Sequence, residues 1–383
     1  MNGEIYFDNA ATTRMCDEAL EVFIKYSKEL YYNVSAPYTP AAKIEKKIFD
    51  AQKAMLSGLN ALKGKLFFTS GGTESDNLAL LGTARRSRKK HIITSNVEHP
   101  AVLNACKELE TLGYEVTYLP VNENGFIDPD ALAQAIYAET FLVSIMHVNN
   151  ETGAVQDIKE LARITKECDK NIIFHSDGVQ AYGHVPVDLS DLGVDMYSLS
   201  SHKIHGPKGM GALYVRDEKK LSPISFGGGQ QDGYRPGTVD SPGVLSFAKA
   251  FELAAYTKER DEKLYRIKKY IEDGIKASIR DVLCISGYDN YSNHVLNVAF
   301  KGVNAETLLH TCQYDGLLLS TGSACSSKKN IVSHTLKQMK VHDDYIGGAI
   351  RMSFSGYNTM NEAQKAVEII KKSVERLRKY TRP

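Results

Sequence analysis

Three short stretches of the chain hold side chains whose types and settings suit one kind of chemistry. The first, Thr69-Ser70-Gly71-Gly72-Thr73-Glu74-Ser75, follows an apolar run and opens onto a helical pattern through Leu78 and Leu81. Glycines let a backbone approach a ligand closely, and a helix start offers free N–H groups at a positive dipole end. A phosphate suits such a turn, although an ordinary strand-to-helix turn reads the same way when taken alone. It is not a nucleotide P-loop, because Gly58, Gly64 and Lys65 have the wrong spacing and Leu66 stands where a hydroxyl is required. No Gly-x-Gly-x-x-Gly follows a strand, so a dinucleotide is not the expected owner of the phosphate.

The second stretch, His175-Ser176-Asp177-Gly178-Val179-Gln180, sets an acid beyond an apolar run. The third, Ser200-Ser201-His202-Lys203-Ile204-His205-Gly206-Pro207-Lys208-Gly209, sets a lysine just past the next run. Taken singly, the acid reads as a helix cap and the lysine as a solvated charge. A lysine held among apolar neighbours has a lowered pKa and forms Schiff bases. His202 and His205 are three apart like metal ligands, but Gly206 and Pro207 break the helix that would hold them together, and no metal site is expected. A phosphate cradle, an acid and a lysine at the ends of successive strands are together what pyridoxal 5'-phosphate requires. The lysine takes the aldehyde, and the acid keeps the pyridine nitrogen protonated.

These residues must be positioned by the elements around them. Lys65 to Thr69, His91 to Ser95, Glu115 to Leu119, Phe141 to His147, Asn171 to His175, Asp195 to Leu199 and Gly211 to Val215 read as strands alternating with helical stretches. That alternation predicts an α/β fold with a mainly parallel sheet, whose ligands bind beyond the carboxyl ends of the strands. Ile44, Ile48, Ala51, Met55, Leu59 and Leu62 recur at helical spacing and predict a helix packed on it. After the Gly-rich segment Phe226 to Gly237, a long helical region from about Ser241 to Ser278 precedes strands at Val282 to Ile285, His294 to Phe300 and Ile350 to Ser353. A helix with Ala363, Val367, Ile370, Val374 and Leu377 on one face closes the chain, and the pattern predicts a smaller α+β domain.

The 383 residues are 43% hydrophobic and 24% charged, which excludes a disordered or disulfide-stapled chain. A net charge of +1 excludes recruitment of nucleic acid by charge alone. The six cysteines contain no pair at Cys-x-x-Cys spacing, so neither a zinc ribbon nor a thioredoxin-like motif is present. No apolar run nears the roughly 20 residues a bilayer needs, and Met1 to Asp8 lacks a cationic start followed by an apolar stretch. A cytoplasmic location without membrane attachment is expected.

Several segments, read as a set, resemble the cysteine desulfurases of the nitrogenase-associated and iron-sulfur-cluster type, within the class V aminotransferase superfamily. They are Tyr6 to Thr13, Thr69 to Asn77, Glu98-His99-Pro100-Ala101-Val102, His147-Val148-Asn149-Asn150-Glu151-Thr152-Gly153, His175 to Gln180, Ser200 to Gly209, Gly237-Thr238 and Gly322-Ser323-Ala324-Cys325. The resemblance covers essentially the whole chain. It implies the fold type I of pyridoxal-phosphate transferases, with a seven-stranded sheet in a large domain over 15–250 and a small domain formed by 1–14 and 251–383.

The same resemblance implies the roles of single residues. Lys203 would bind the cofactor aldehyde, Asp177 the ring nitrogen, and Gln180 and Asn150 the region of the phenolic oxygen. His99 would stack on the ring and serve as acid or base for thiol protons. Gly72, Thr73, Ser200 and His202 would hold the phosphate, with Thr238 reaching it from the partner in a homodimer. Arg351 would clamp the carboxylate of L-cysteine, and Cys325 would take the sulfur as a persulfide for an acceptor protein in iron-sulfur cluster assembly or tRNA thiolation.

Two of these residues also carry a signal of their own. Arg351 sits inside the apolar run Ala349-Ile350-Arg351-Met352-Ser353, where a buried guanidinium needs an anion. Gly322 to Asn330 is small and polar with Lys328 and Lys329 behind Cys325, a setting that favours thiolate. The segment Asn33-Val34-Ser35-Ala36-Pro37-Tyr38 departs from the family pattern and predicts an altered site entrance, while Asp232 and Pro236 depart from it in the Gly-rich segment. Lys203→Ala is expected to abolish the borohydride-fixed lysine adduct of the cofactor, as read by peptide mass. Persistence of the adduct would make another lysine the anchor.

Overall fold

The computed structural model describes residues 4–61, 63–321 and 332–379, so Cys325 and its Gly322-Ser323-Ala324 approach, like Leu62, lie outside the described residues. The strands are β1 (Ile5–Tyr6), β2 (Lys65–Thr69), β3 (His91–Ser95), β4 (Glu115–Leu119), β5 (Thr140–Ser144), β6 (Ile173–Asp177), β7 (Met196–Ser200), β8 (Gly211–Val215), β9 (Val282–Cys284), β10 (Val295–Phe300), β11 (Leu317–Leu318) and β12 (Ala349–Ser353). Every residue of β3, β5, β6, β7 and β8 is buried. That is why these runs read as continuous apolar stretches: helices cover both faces of the sheet.

Seven strands form the main sheet in the order β2-β8-β7-β6-β5-β3-β4. Only β8 is reversed, being antiparallel to both of its neighbours, so β2 and the other five point the same way. Their carboxyl ends therefore share one edge. Helices Gly72–Arg86 and Pro100–Thr111 pack on one face through Leu78, Leu80, Val102 and Leu109. Helices Thr39–Gly58, Ile158–Cys168 and Ser241–Ala254 pack on the other through Met55, Leu161 and Phe247.

A second apolar cluster surrounds the antiparallel sheet β12-β10-β9, covered by helices Lys258–Ser278 and Met360–Arg378. The chain start belongs to this cluster: β1 pairs in parallel with β11, and Ile5 and Phe7 are buried in it. From there residues 8 to 16 cross to the large sheet, where Thr13 N–H donates to His202 O at 2.9 Å and Cys16 N–H to His205 O at 2.9 Å. One short segment thus ties the two layers together at the shared edge.

Some boundaries differ from the sequence reading. The strand expected at Asn171 to His175 runs two residues later, because Asp169 turns the chain by accepting the Asn171 N–H. Asp177 is consequently the last strand residue rather than one beyond it. The strand expected at Phe141 to His147 is β5, and the helical region from Ser241 to Ser278 is two helices interrupted at 255–257. Arg260 makes that break by donating to the carbonyls of Leu253, Ala254 and Ala255. β1 and β11, two residues each, had no readable period.

Gly178, just after β6, leaves no room for a side chain: an added Cβ would lie 2.0 Å from the Tyr197 ring, which is fully buried. Gly178→Ala is expected to cost about 1–3 kcal/mol through this overpacking. A lowered unfolding temperature in calorimetry checks it.

Candidate active site

The common edge of the parallel strands, the crossing segment and β12 enclose a cavity of about 1030 Å³. It gathers Gly72, Thr73, His99, Asn150, Asp177, Gln180, Ser200, His202, Lys203 and Arg351, residues spread over 280 positions in the chain. Thr238 is exposed and does not line this cavity. None of Asn33 to Tyr38 lines it either, so the departure there does not reshape the described walls.

Each side chain is delivered by an element end. Lys203 closes the 3-10 turn after β7, and its Nζ donates to Ala10 O at 2.7 Å and Ala11 O at 2.8 Å. Asp177 ends β6 and accepts the Val179 N–H at 2.9 Å. Burial raises its carboxyl pKa, against the opposing pull of His99 and Lys203. His99 caps helix Pro100–Thr111, accepting the Ala101 N–H on Nδ1 at 3.1 Å. In its neutral form the proton is therefore on Nε2, and burial favours that neutral form by lowering the pKa.

A cradle lies at the start of helix Gly72–Arg86, whose N-terminus no side chain caps. Gly72 has no space for a Cβ, which would lie 2.6 Å from Val179 Cγ2 and 3.6 Å from Ser200 Cβ. Ser200 Oγ is buried with no hydrogen-bond partner among the described residues. His202 joins through Thr12 Oγ1, 3.1 Å from its Nδ1, with its pKa pushed down to about 4 by burial, then by Lys203 and Lys208. Uncapped helix N–H groups beside an unsatisfied hydroxyl are a cradle for an anion.

Arg351 is 2% exposed on β12. Its Nη2 donates to Asp8 Oδ1 at 2.8 Å and its Nη1 to Asn150 O at 2.8 Å, leaving Nε buried and unpartnered among the described residues. The anion that its burial demands is thus supplied by Asp8 within the chain. Burial alone does not call for a substrate carboxylate here, and sequence reasoning did not foresee Asp8. His205, three positions after His202, meets Arg14 O through Nδ1 at 2.9 Å, and no group of metal-binding side chains forms among the described residues.

Two further acids line the cavity that sequence reasoning named only inside motifs. Asp76 lies one helical turn beyond Gly72, and burial followed by the nearby Asp177 raises its pKa well above normal. Glu98 is 3% exposed, with Oε1 accepting from Ser95 Oγ at 2.5 Å and Met146 N at 3.0 Å while Oε2 has no partner among the described residues. Burial pushes its pKa up to about 8. Their adjacency to Asp177 is a tertiary fact, without a spacing signal.

Comparison with known proteins follows the same lines. The aminotransferase class-V family model matches residues 5–366, and the chain belongs to that family. Relatives that match over nearly their full length include proteins named cysteine desulfurase. That named IscS in Dictyoglomus turgidum is 39% identical over 99% of this chain and 96% of its own, and that in Methanosarcina thermophila is 40% identical over 98% and 93%. A solved structure of a NifS-like protein superposes with a TM-score of 0.90 at 33% identity, covering 96% of this chain and 98% of its own. SspA, solved in complex with cysteine, gives a TM-score of 0.80 at 34% identity, with 92% and 99% covered.

Glu98 makes the site pH-sensitive in stability. An acid whose pKa is higher folded than unfolded contributes stability that is full below its ordinary 4.5 and lost as pH rises through about 8. Glu98→Gln keeps an acceptor for Ser95 and Met146 and cannot ionise. Between about pH 5 and about pH 8 the variant is expected to gain stability progressively relative to the parent in denaturant titrations, with little further gain above that. An unchanged difference would place the proton elsewhere.

Proposed function

We propose that the chain is a pyridoxal-phosphate-dependent cysteine desulfurase that converts L-cysteine to L-alanine and takes up the sulfur on Cys325. The observation that carries this reading is the convergence of Lys203, Asp177, His99 and Arg351 on one cavity beside an uncapped helix start with the unsatisfied Ser200 hydroxyl. These residues fit the cofactor: Gly72, Thr73, Ser200 and His202 suit its phosphate, Asp177 its ring nitrogen, Lys203 its aldehyde, and Gln180 and Asn150 its phenolic oxygen. Bound there, pyridoxal phosphate supplies a carbonyl for amines and a cationic ring that withdraws electrons.

The chain's own residues do the rest. Asp177, costly to bury as an anion, is relieved by a cation at the ring nitrogen and so keeps that proton in place. Arg351, which lines the cavity with its guanidinium plane fixed by Asp8 and Asn150, is the partner for the substrate carboxylate. Lys203 would move the Cα proton with its amine, whose resting place the backbone acceptors at Ala10 and Ala11 fix. His99 exchanges thiol protons through Nε2. Cys325 thiolate attacks the substrate sulfur, and the Cβ–S bond breaks with its electron pair left on carbon. That carbon takes a proton and leaves as part of alanine, while the sulfur stays on Cys325 as a persulfide.

The rest of the assembly follows from this reading. A homodimer would bring Thr238 to the partner's phosphate cradle, and the persulfide would pass to an acceptor protein such as a cluster scaffold or a tRNA-thiolation enzyme. The domain division at about residue 250 is supported by the cluster around β12-β10-β9, whose buried members are Ile5, Phe7 and residues from Leu264 onward, while Ala299, Leu336, Met339, Ile346 and Ala349 pack with the large-sheet cluster across it. No described helix is long and apolar enough to cross a membrane. The purified yellow protein is expected to form alanine and sulfide from cysteine in the presence of a thiol reductant, with Cys325→Ala retaining the absorbance but losing turnover. Undiminished turnover by that variant removes Cys325 from the reaction, and α-keto acid in place of alanine makes the protein an aminotransferase.

A further inference from the structure

Behind the cavity wall, a hydrogen-bonded chain runs from the small layer to Gln180. Gln180 donates from Nε2 to Ala10 O at 2.9 Å, and its Oε1 lies 3.2 Å from His294 Nε2. The other nitrogen of His294 is 2.5 Å from Ser292 Oγ. His294 is 1% exposed, just ahead of β10, and its ring stacks on that of His184 at 3.8 Å. Ser292 is fastened by its N–H to Gly153 O at 2.8 Å, and its carbonyl accepts from the buried Lys268 at 3.3 Å.

Proton accounting leaves one arrangement. Turning the Gln180 amide over would set its oxygen against the Ala10 carbonyl, acceptor to acceptor, so the oxygen faces His294. His294 must then donate from Nε2. The groups around it, His184, Lys268, Arg351 and Lys203, act with burial to keep it neutral with one proton. Its Nδ1 is therefore the acceptor, and Ser292 Oγ is the donor. Gln180 has two amide hydrogens, and Ala10 takes one. The other belongs to the cavity, which Gln180 lines.

We infer that His294, held by Ser292 in the tautomer protonated on Nε2, is a positioning residue that makes Gln180 an obligate hydrogen-bond donor to the phenolic oxygen of the cofactor. The inference rests on the reading of Gln180 as a contact of that oxygen. Ala10 O accepts from Lys203 as well, so the same relay registers the amide against the lysine. The small layer thereby sets the electronics of a ring that it does not touch through His294 itself.

The test is a visible-absorbance pH titration of the cofactor-loaded protein. A donor at the phenolic oxygen stabilises its anionic form and lowers the pH at which the bound chromophore loses its proton. His294→Leu and Gln180→Leu are each expected to raise that transition by up to roughly one pH unit. The double variant should match Gln180→Leu alone, because the two act as one device. His294→Gln, which keeps a donor, should move the transition back toward the parent. A purely structural role would lower the unfolding temperature and leave the transition in place, which overturns the inference, as does a shift from His294→Leu that adds in full to that of Gln180→Leu. If Gln180→Leu causes no shift, the assignment of Gln180 to the ring oxygen fails and takes the inference with it. Should His294→Leu not fold, Ser292→Ala makes the same comparison: a shift in the same direction supports the relay, and none overturns it.

Discussion

Asp177 is buried to 5% exposure with the Val179 backbone N–H as its donor, and it lies close enough to Asp76 and Glu98, both also buried, to raise the cost of ionising them. Three carboxyls withdrawn from water in one cavity are stable only while protonated or when a cation faces them. That debt of charge organises the site. The cations at hand, Lys203 and Arg351, are each engaged by the chain itself, the first by the Ala10 and Ala11 carbonyls and the second by Asp8 and Asn150. Under the proposed function, a protonated ring nitrogen beside Asp177 would meet the remaining demand.

Placing such groups together needs a rigid frame, and the parallel sheet supplies it. Because β2, β7, β6, β5 and β3 point the same way, the cradle, Lys203, Asp177 and His99 all emerge at one edge. The reversed β8 sits between β2 and β7, and its first residue, Gly211, would place a Cβ 2.5 Å from Gly71 C. Backbone packing that tight fixes the height of the glycine turn relative to Lys203. At the outer edge, the Gln231 side chain pairs with both backbone groups of Phe68 on β2, and Lys65 bonds Asp232. The Gly-rich segment thus covers an edge that would otherwise be open, with Asp232, a departure from the family pattern, serving as an ion-pair partner.

The small layer contributes through three threads: the crossing residues Ala10 and Ala11, Arg351 on β12, and His294 ahead of β10. Each meets the large sheet through hydrogen bonds to buried groups rather than through broad apolar contact alone. Small changes in how the two layers sit would therefore be felt at Gln180, Lys203 and Arg351 together.

Most of this was legible in the chain because the chemistry sits where local rules apply. Strand ends can be read from apolar runs, a glycine turn from its composition, and Lys203 from its Ser-x-His-Lys setting; the strands β2, β3, β4 and β8 fall where those runs predict. Other features depend on contacts between distant residues and leave no period or spacing. Asp8 meets Arg351 across 343 positions, His294 meets Gln180 across 114, and the two-residue β1 finds β11. The amino-acid order determined which elements form and which reactive side chains end them, since propensity, periodicity and turn chemistry act within a few residues. The tertiary structure alone decided which charge answers which, because burial and the direction of a hydrogen bond exist only once separate segments share the same space.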